Sequence, residues 1–424
     1  MRWSTMMSSE LREARALDVR LHGQTVGVLN RFGRDRHLFD FEQDYVDDPN
    51  RPTLSLSFKT RSGGLVTSVR PSSTRVPPFF SNLLPEGPLR AYLSERAGVN
   101  PEREFFLLAA LGADLPGAIT VTPIDSGERP EGHTDEDSGG DDDDRGARAP
   151  LRFSLAGVQL KFSAIAEATG GLTIPVDGVG GFWIVKLPSL RFSAVPENEF
   201  VMMTLARASG IDVPDIRLVP IDEIEGLPRD AARLNGQALA VERFDRTPDG
   251  ERIHIEDFAQ VFGMFPDKKY ERQSYANIAA VLWAETGEEG TYELVRRLVF
   301  SVLIGNGDMH LKNWSLRYPD RRTPELSPAY DLLSTIPYIT GDSLALTFGR
   351  SRSLSGITRD QVRRFADTAR LPTSPLWQIV TETAERTVEA WMELDAKDLL
   401  PSDVRSTVHQ QIETVARAIQ STSQ

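Results

Sequence analysis

The clearest chemical pattern in the sequence lies in residues 304–313, which read IGNGDMHLKN. Asp308 is followed five positions later by Asn313, and two glycines in the segment permit tight turns. A carboxylate in such a loop can orient an acceptor hydroxyl and take its proton, and an amide oxygen one turn later can hold Mg²⁺ near phosphates. The Asp-x-x-x-x-Asn spacing is typical of a kinase catalytic loop. The segment therefore predicts phosphoryl transfer, with Asp308 as base and Asn313 as metal ligand.

A second acidic residue, Asp331, lies between apolar residues eighteen positions after Asn313. In kinases a metal-binding Asp follows the catalytic loop at such a distance, within the triplet Asp-Phe-Gly. The triplet here is Tyr-Asp-Leu, so Asp331 could instead be the N-cap of a helix. The upstream Asp308 and Asn313 favour the interpretation of Asp331 as a second metal ligand.

A lysine that could contact ATP phosphates lies in the apolar run FWIVKL, which predicts a buried strand at 182–187. Burying Lys186 is costly unless the ammonium is paired, and Glu199 follows on a helix predicted at 197–209. The alternative is an edge-strand lysine that faces water. The preceding segment 154–161, SLAGVQLK, is a weak candidate for a phosphate-covering loop, because it matches neither GxGxxG nor a Walker A motif.

The composition narrows the class of protein. The chain has 424 residues, of which 40% are hydrophobic and 26% charged, so two or three globular domains are expected. It has no cysteine, which excludes disulfides, thiolate nucleophiles and cysteine-bound metals, and its six histidines form no HxxxH pair. No apolar run approaches 18 residues, and the start lacks a signal-peptide core. We expect a cytoplasmic protein without membrane association.

The negative charge is concentrated in one segment. The net charge is −13, and residues 125–144 carry −9 of it, which leaves only −4 for the rest. The overall charge disfavours direct DNA binding, which needs a basic face. Residues 125–150 are too poor in apolar side chains to offset the entropy of ordering, so we predict a disordered loop. The alternative is a docking site for a basic partner.

The predicted elements form a strand-rich lobe followed by a mainly helical lobe, an α+β layout typical of the bilobal protein-kinase-like fold. Strands are predicted at 17–21, 53–58, 182–187 and 239–244, and helices within 77–111 and at 197–209, 292–303, 359–369, 376–394 and 402–420. The expected parts are an N-terminal subdomain of the N-lobe (17–124), the acidic loop (125–150), the ATP-binding part of the N-lobe (151–245) and the helical C-lobe with the catalytic loop (246–424).

The sequence resembles the HipA serine/threonine kinases, the toxin half of bacterial HipBA toxin–antitoxin modules. The resemblance spans about residues 17–400 and includes the segments discussed above. Further matching segments are FSNLLPEG at 80–87, ENE at 197–199, AVERFDR at 240–246, EDF at 256–258 and PAYDLL at 328–333.

The resemblance implies a role for each matching residue. Asp308 would be the catalytic base, Asn313 and Asp331 would hold Mg²⁺, and Lys186 would contact the ATP phosphates. Glu242 and Phe244 would offer backbone hydrogen bonds to adenine. Ser154 would be autophosphorylated, and its modification would inactivate the enzyme. The remaining candidate nucleotide contacts are Ser154, Gly157, Gln159, Lys161, His310 and Lys312.

The resemblance also implies partners. Members of this family phosphorylate aminoacyl-tRNA synthetases and thereby halt translation, and a small helix-turn-helix antitoxin restrains them. DNA would be contacted only through that antitoxin. Two alternatives from other classes stay open: a small-molecule kinase, because related sites also serve sugars, antibiotics and lipids, and a nucleotide-binding corepressor that acts mainly through the antitoxin. The presence of all expected catalytic side chains disfavours the corepressor.

We predict that deleting residues 125–145 leaves the fold and basal kinase activity nearly unchanged. The segment has too little apolar content to belong to a core, and loop-closure entropy changes slowly with loop length. The melting temperature and phosphotransfer rate of the deletion variant would be compared with those of the full chain. A loss of several degrees in melting temperature would contradict the prediction.

Overall fold

The computed structural model describes most of the chain in two compact units. The first unit holds the described residues before position 125 together with Gln260–Pro266, and the second holds those of Gln159–Ala259 and Asp267–Gln424. The described residues are 14–33, 35–60, 62–124, 161–166, 172–174, 181–227, 231 and 234–422. The acidic loop and the candidate residues Ser154, Gly157 and Gln159 lie outside them.

The first unit is built on a five-stranded antiparallel sheet whose strands lie in the order Ser72–Ser73, Arg36–Phe41, Gln24–Phe32, Ala16–Leu21 and Ile119–Pro123. Its core is apolar because alternate side chains of the strands, such as Leu17, Val19 and Leu21, are buried. Its elements are β1 (Ala16–Leu21), β2 (Gln24–Phe32), β3 (Arg36–Phe41), α1 (Gln43–Asp47), β4 (Ser72–Ser73), α2 (Pro78–Ser81), α3 (Gly87–Ala97), α4 (Glu104–Leu111) and β5 (Ile119–Pro123).

The strand predicted at 53–58 is wrong. Leu56–Phe58 form a 3₁₀ turn instead, and the Ser55 hydroxyl accepts a hydrogen bond from the Ser57 N–H at 3.1 Å. Such local side-chain bonds offer the backbone an alternative to a strand ladder. The apolar alternation that suggested a strand has a different cause, because Leu54 just before the turn and Phe58 at its end are both buried.

The second unit begins with a six-stranded sheet and one helix. The elements of this part are β6 (Lys161–Ala166), β7 (Leu172–Thr173), β8 (Trp183–Lys186), α5 (Val195–Ala208), β9 (Ile216–Pro220), β10 (Ile224–Glu225) and β11 (Gln237–Glu242). The strands lie in the order β10-β7-β6-β8-β11-β9, and all described pairs are antiparallel except β10 with β7. In this register Lys186 at the end of β8 lies directly opposite Lys161 on β6 and Leu239 on β11.

The rest of the second unit is mainly helical and confirms the helices predicted after residue 290. The predicted helix at 359–369 is observed with the same bounds, because Thr358 and Gln361 form a capping box at its start. The elements after β11 are β12 (His254–Asp257), α6 (Phe258–Val261), α7 (Tyr275–Glu285), α8 (Gly287–Ile304), β13 (Ser315–Tyr318), β14 (Glu325–Leu326), α9 (Arg359–Ala369), α10 (Thr373–Glu393) and α11 (Ser402–Ser421). The last two residues of α6 belong to the first unit.

Strands β12, β13 and β14 form a small antiparallel sheet that flanks the segment 304–313 in sequence. Helix α8 leads into that segment and is buried along most of its second half. None of the helices described here is both long and apolar enough to cross a membrane.

Candidate active site

The ammonium group of Lys186 lies between two buried carboxylates. Its Nζ donates hydrogen bonds to Glu199 Oε1 on α5 and to Asp331 Oδ1. Burial by itself would lower the pKa of Lys186, but Asp331 and then Glu199 outweigh burial and raise its pKa above the usual value. Lys186 is therefore charged. It lies on a central strand and is only 4% exposed, so the alternative of a water-facing edge lysine is wrong.

Lys161 supplies a second ammonium group to Asp331. Its Nζ lies 3.3 Å and 3.4 Å from the two carboxylate oxygens. Lys161 and Lys186 are directly opposite across β6 and β8, where like charges would repel unless a carboxylate lies between them. Burial would raise the pKa of Asp331, but the two lysines hold it well below its usual range. Burial raises the pKa of Glu199, and the opposing effect of Lys186 only partly offsets it.

The backbone around Asp331 is irregular, and side chains from other segments hold it by hydrogen bonds. Asp331 has a left-handed conformation, with φ of 54°, and no helix begins there, so the helix N-cap interpretation is wrong. Asn198 on α5 is fully buried and brackets Ser334: Nδ2 donates to the Ser334 carbonyl at 2.9 Å, and Oδ1 accepts from its N–H at 3.0 Å. Asn306 Nδ2 donates to the Asp331 carbonyl at 3.5 Å.

The loop after α8 has two glycines in positions that disfavour larger residues. Gly305 ends the helix in the left-handed conformation, with φ of 69°. A Cβ atom on Gly307 would lie 2.4 Å from Asp342 Oδ2, so the Asp342 side chain would have to move to admit it. The Gly307 N–H donates to Thr335 Oγ1 at 2.7 Å, so the loop is tied to the segment that follows Asp331.

Asp308 and Asn313 close this loop on each other. Asn313 Nδ2 donates to the Asp308 carbonyl at 2.8 Å, which leaves the amide oxygen as the end suited to a cation. The Asp308 N–H donates to Asn306 Oδ1 at 3.0 Å. The Asp308 carboxylate is buried, and its Oδ1 accepts a hydrogen bond from the Tyr270 hydroxyl at 2.7 Å.

The remaining predicted nucleotide contacts within the described residues are Glu242, Phe244, His310 and Lys312. The Glu242 N–H donates to the Asp215 carbonyl at 2.7 Å, so only the Glu242 carbonyl is suited to an adenine contact. The Phe244 ring packs against Tyr330, with centroids 5.5 Å apart. His310 is buried, edge-on to the Tyr270 ring. Lys312 Nζ lies 3.7 Å from Asp257 Oδ2.

The sequence analysis did not single out three residues of the site. Asn306 and Tyr270 contact predicted site residues directly, whereas Asn198 bonds Ser334, three residues after Asp331. Asn198 and Asn306 occur inside the quoted segments 197–199 and 304–313, so buried amides in those segments were an available signal. Tyr270 precedes Asp308 by 38 residues and has no local pattern that would have identified it.

The donor set fits Mg²⁺ in one mode of binding. Within the described ranges, no three His, Cys, Asp or Glu residues are grouped so as to hold a metal. Asp331 and Asn313 offer an ionised carboxylate and an amide oxygen, and Mg²⁺ in phosphotransferases commonly combines one or two such ligands with phosphate oxygens and water. The residues present are therefore suited to binding Mg²⁺ together with the nucleotide phosphates, and not to binding it through protein ligands alone.

Comparison with known families matches both units. Residues 153–391 match the family described as HipA-like C-terminal domain, and residues 17–122 match the HipA N-terminal domain. The first match covers more than half of the chain.

Relatives and a solved structure agree with this match. The chain is 53% identical to "Putative kinase Y4dM" of Sinorhizobium fredii, over 94% of this chain and 97% of that protein. It is 28% identical to "Serine/threonine-protein kinase toxin HipA" of Shewanella oneidensis, over 76% and 78% of the two chains. A chain of the solved complex of HipA, HipB and operator DNA from Shewanella oneidensis MR-1 superposes with a TM-score of 0.72, at 24% identity, covering 96% of this chain and 99% of that chain. This likeness confirms the expected α+β fold class.

We predict that Asn198→Leu destabilises the protein and slows phosphotransfer. It removes both hydrogen bonds to Ser334, and each buried backbone group left unpaired costs about 1–3 kcal/mol. Denaturant unfolding and phosphotransfer rates would measure the two effects. Thr383→Val is the matched control, because its buried hydroxyl bonds the Ile379 carbonyl within α10. Equal effects of the two substitutions on the rate would contradict a role for Asn198 in placing Asp331.

Proposed function

Because the chain belongs to the HipA family, we propose that it is an ATP- and Mg²⁺-dependent serine/threonine protein kinase that acts as a bacterial toxin. The observation that carries this proposal is the buried ion-pair cluster of Lys186, Glu199 and Asp331, which lies in the same compact unit as the Asp308 loop. A structural ion pair would need no catalytic loop tied to it, whereas phosphoryl transfer needs both.

The proposed reaction moves the γ-phosphoryl group of ATP to a serine or threonine hydroxyl. Asp308 accepts the hydroxyl proton, the hydroxyl oxygen bonds to the γ-phosphorus, and the bond to the bridging oxygen breaks, so that ADP leaves. Lys186 and Lys161 provide positive charge for the phosphate oxygens. Mg²⁺ held by Asn313 and Asp331 would add charge neutralisation at the same oxygens.

Nucleotide recognition is proposed for the junction after β11. The Glu242 carbonyl would accept from the adenine amino group, and the Phe244 N–H would donate to the ring. The Phe244 side chain already packs on Tyr330, which precedes Asp331 in sequence. The Phe244–Tyr330 contact would thus link the proposed adenine site to Asp331, the proposed metal ligand. Lys312 and His310, and Gly157 and Gln159 in the segment before β6, are further proposed contacts.

The proposed protein partners follow from the family. The substrate would be an aminoacyl-tRNA synthetase, whose phosphorylation halts translation in the cytoplasm. A small helix-turn-helix antitoxin like HipB would restrain the enzyme, and DNA would be bound only through it. The solved complex that shares this fold contains HipA, HipB and operator DNA, which supports that assignment.

The function is tested by incubating the protein with labelled ATP, Mg²⁺ and a bacterial lysate. Transfer of label to a protein of aminoacyl-tRNA synthetase size, identified by mass spectrometry, is the expected result. Label confined to small molecules would favour a small-molecule kinase. Specific ATP binding with no transfer of label would favour a corepressor.

We predict that Asp308→Asn abolishes phosphotransfer while Mg·ATP still binds. A positioned base contributes roughly 10²–10⁴-fold in rate, whereas the proposed phosphate and metal contacts lie on other residues. Titration calorimetry would measure the Mg·ATP affinity of this variant.

We predict that Asp331→Ala loses Mg·ATP affinity in the same calorimetric titration, because it removes the carboxylate shared by two lysines and the proposed metal. Equal turnover in Asp308→Asn and the unmodified protein would refute the base assignment, and unchanged affinity in Asp331→Ala would refute the metal assignment.

We predict that the enzyme phosphorylates its own Ser154 and that the product is inactive. Ser154 opens the glycine-containing segment 154–161, and a phosphate there adds about −1.5 to −2 charge next to the site proposed for the ATP phosphates. Mass spectrometry would compare the active chain with Asp308→Asn, both expressed in cells without other kinases of this type. Phosphate on Ser154 of Asp308→Asn would exclude self-modification, and full turnover by the Ser154-phosphorylated protein would exclude inhibition.

A further inference from the structure

Tyr270 contacts the reacting group of the proposed enzyme directly. Its hydroxyl donates to Asp308 Oδ1 at 2.7 Å, and the bond is partly buried. Tyr270 lies in a segment between α6 and α7, outside the catalytic loop, and no part of the proposed reaction yet uses it. Because the phenol donates to the carboxylate that is proposed to accept a proton, Tyr270 can influence how that carboxylate functions.

The position of Tyr270 is fixed by contacts on several sides. An Arg352 guanidinium N–H donates to the Tyr270 carbonyl at 3.3 Å. The Leu311 N–H, in the catalytic loop, donates to the carbonyl of Lys269 at 3.3 Å. The Tyr270 ring meets the His310 ring edge-on, with centroids 5.1 Å apart and planes 81° apart. The segment that carries the phenol is therefore bonded to the loop that carries Asp308.

We propose that Tyr270 is a positioning residue for Asp308, an inference that rests on the proposed kinase function. A carboxylate can rotate about its last side-chain bond, and a donor bound to Oδ1 fixes the plane of the group. The orientation of Oδ2 is then set before the acceptor hydroxyl arrives. Misplacing a reacting group by about 1 Å can cost on the order of 10²-fold in rate, so this one hydrogen bond has a measurable effect.

The arrangement also admits an opposite role, which the test distinguishes. An acceptor hydroxyl donates to Asp308 in the same way that the Tyr270 phenol does. If the phenol occupied the acceptor's place, removing it would speed the reaction or strengthen binding of the protein substrate. The contacts of Tyr270 with Arg352 and His310 favour a fixed support over a displaceable occupant.

The experiment is Tyr270→Phe in the full-length chain, which removes the hydroxyl and keeps the ring against His310. The probe is Mg·ATP with the lysate protein that the unmodified chain labels. The maximal rate of label transfer should fall about 10- to 100-fold. The apparent KM for ATP and the calorimetric affinity for Mg·ATP should stay within about twofold, because Asp308 accepts a proton and is not assigned to nucleotide binding.

The matched control is Tyr318→Phe. It likewise removes a phenol bonded to a buried carboxylate, since the Tyr318 hydroxyl donates to Glu256 at 2.5 Å. This variant should lower the melting temperature without a comparable loss of rate. A rate for Tyr270→Phe within twofold of the unmodified rate, or above it, would overturn the inference.

A second variant keeps the test decisive if Tyr270→Phe does not fold. Arg352→Met removes the donor to the Tyr270 carbonyl and should lower the rate several-fold with Mg·ATP affinity unchanged. An unchanged rate would overturn the inference. Failure of the proposed function has a separate signature, because the unmodified chain would then label no protein at all.

Discussion

The site depends on one buried interaction, the ammonium group of Lys186 held between Glu199 and Asp331. A lysine this far from water must be paired, and removing one partner of a buried pair typically costs about 3–5 kcal/mol. The three partners come from β8, from α5 and from the irregular segment after β14, so the pairing fixes three separate parts of the chain. The two carboxylates differ in their number of salt-bridge partners: Asp331 pairs with two ammonium groups, and Glu199 pairs with one.

Local patterns predicted those elements whose stabilising contacts are themselves local. The helix at 359–369 carries its own capping box, and its bounds were predicted to the residue. The 53–58 segment shows the limit of this reasoning, because its apolar alternation suited a strand while the short-range bond of Ser55 favoured a turn. The alternation of apolar and polar residues indicates which side chains are buried, but a turn can bury the same side chains as a strand.

The same distinction applies to the site. Spacing within one segment suggested Asp308 with Asn313, and the structure joins them by a hydrogen bond from the amide to the Asp308 backbone. The pairing of Lys186 with Glu199 was predicted from the cost of burying a lysine near a helix, and that pairing is confirmed. Tyr270 could not be predicted in this way, because nothing in a single sequence records a contact across 38 residues.

Asp331 combines these constraints, since it is the point where backbone strain and charge meet. A left-handed backbone costs roughly 1–2 kcal/mol for a residue with a side chain, although Asp tolerates it better than most. Strain of this size persists only where surrounding contacts fix the conformation. Here Lys186 and Lys161 hold the side chain, and Asn306 holds the carbonyl. Asn306 also accepts from the Asp308 N–H, so the amide that stabilises the strained residue positions the proposed base as well. A substitution of Asn306 would therefore disturb both Asp331 and Asp308.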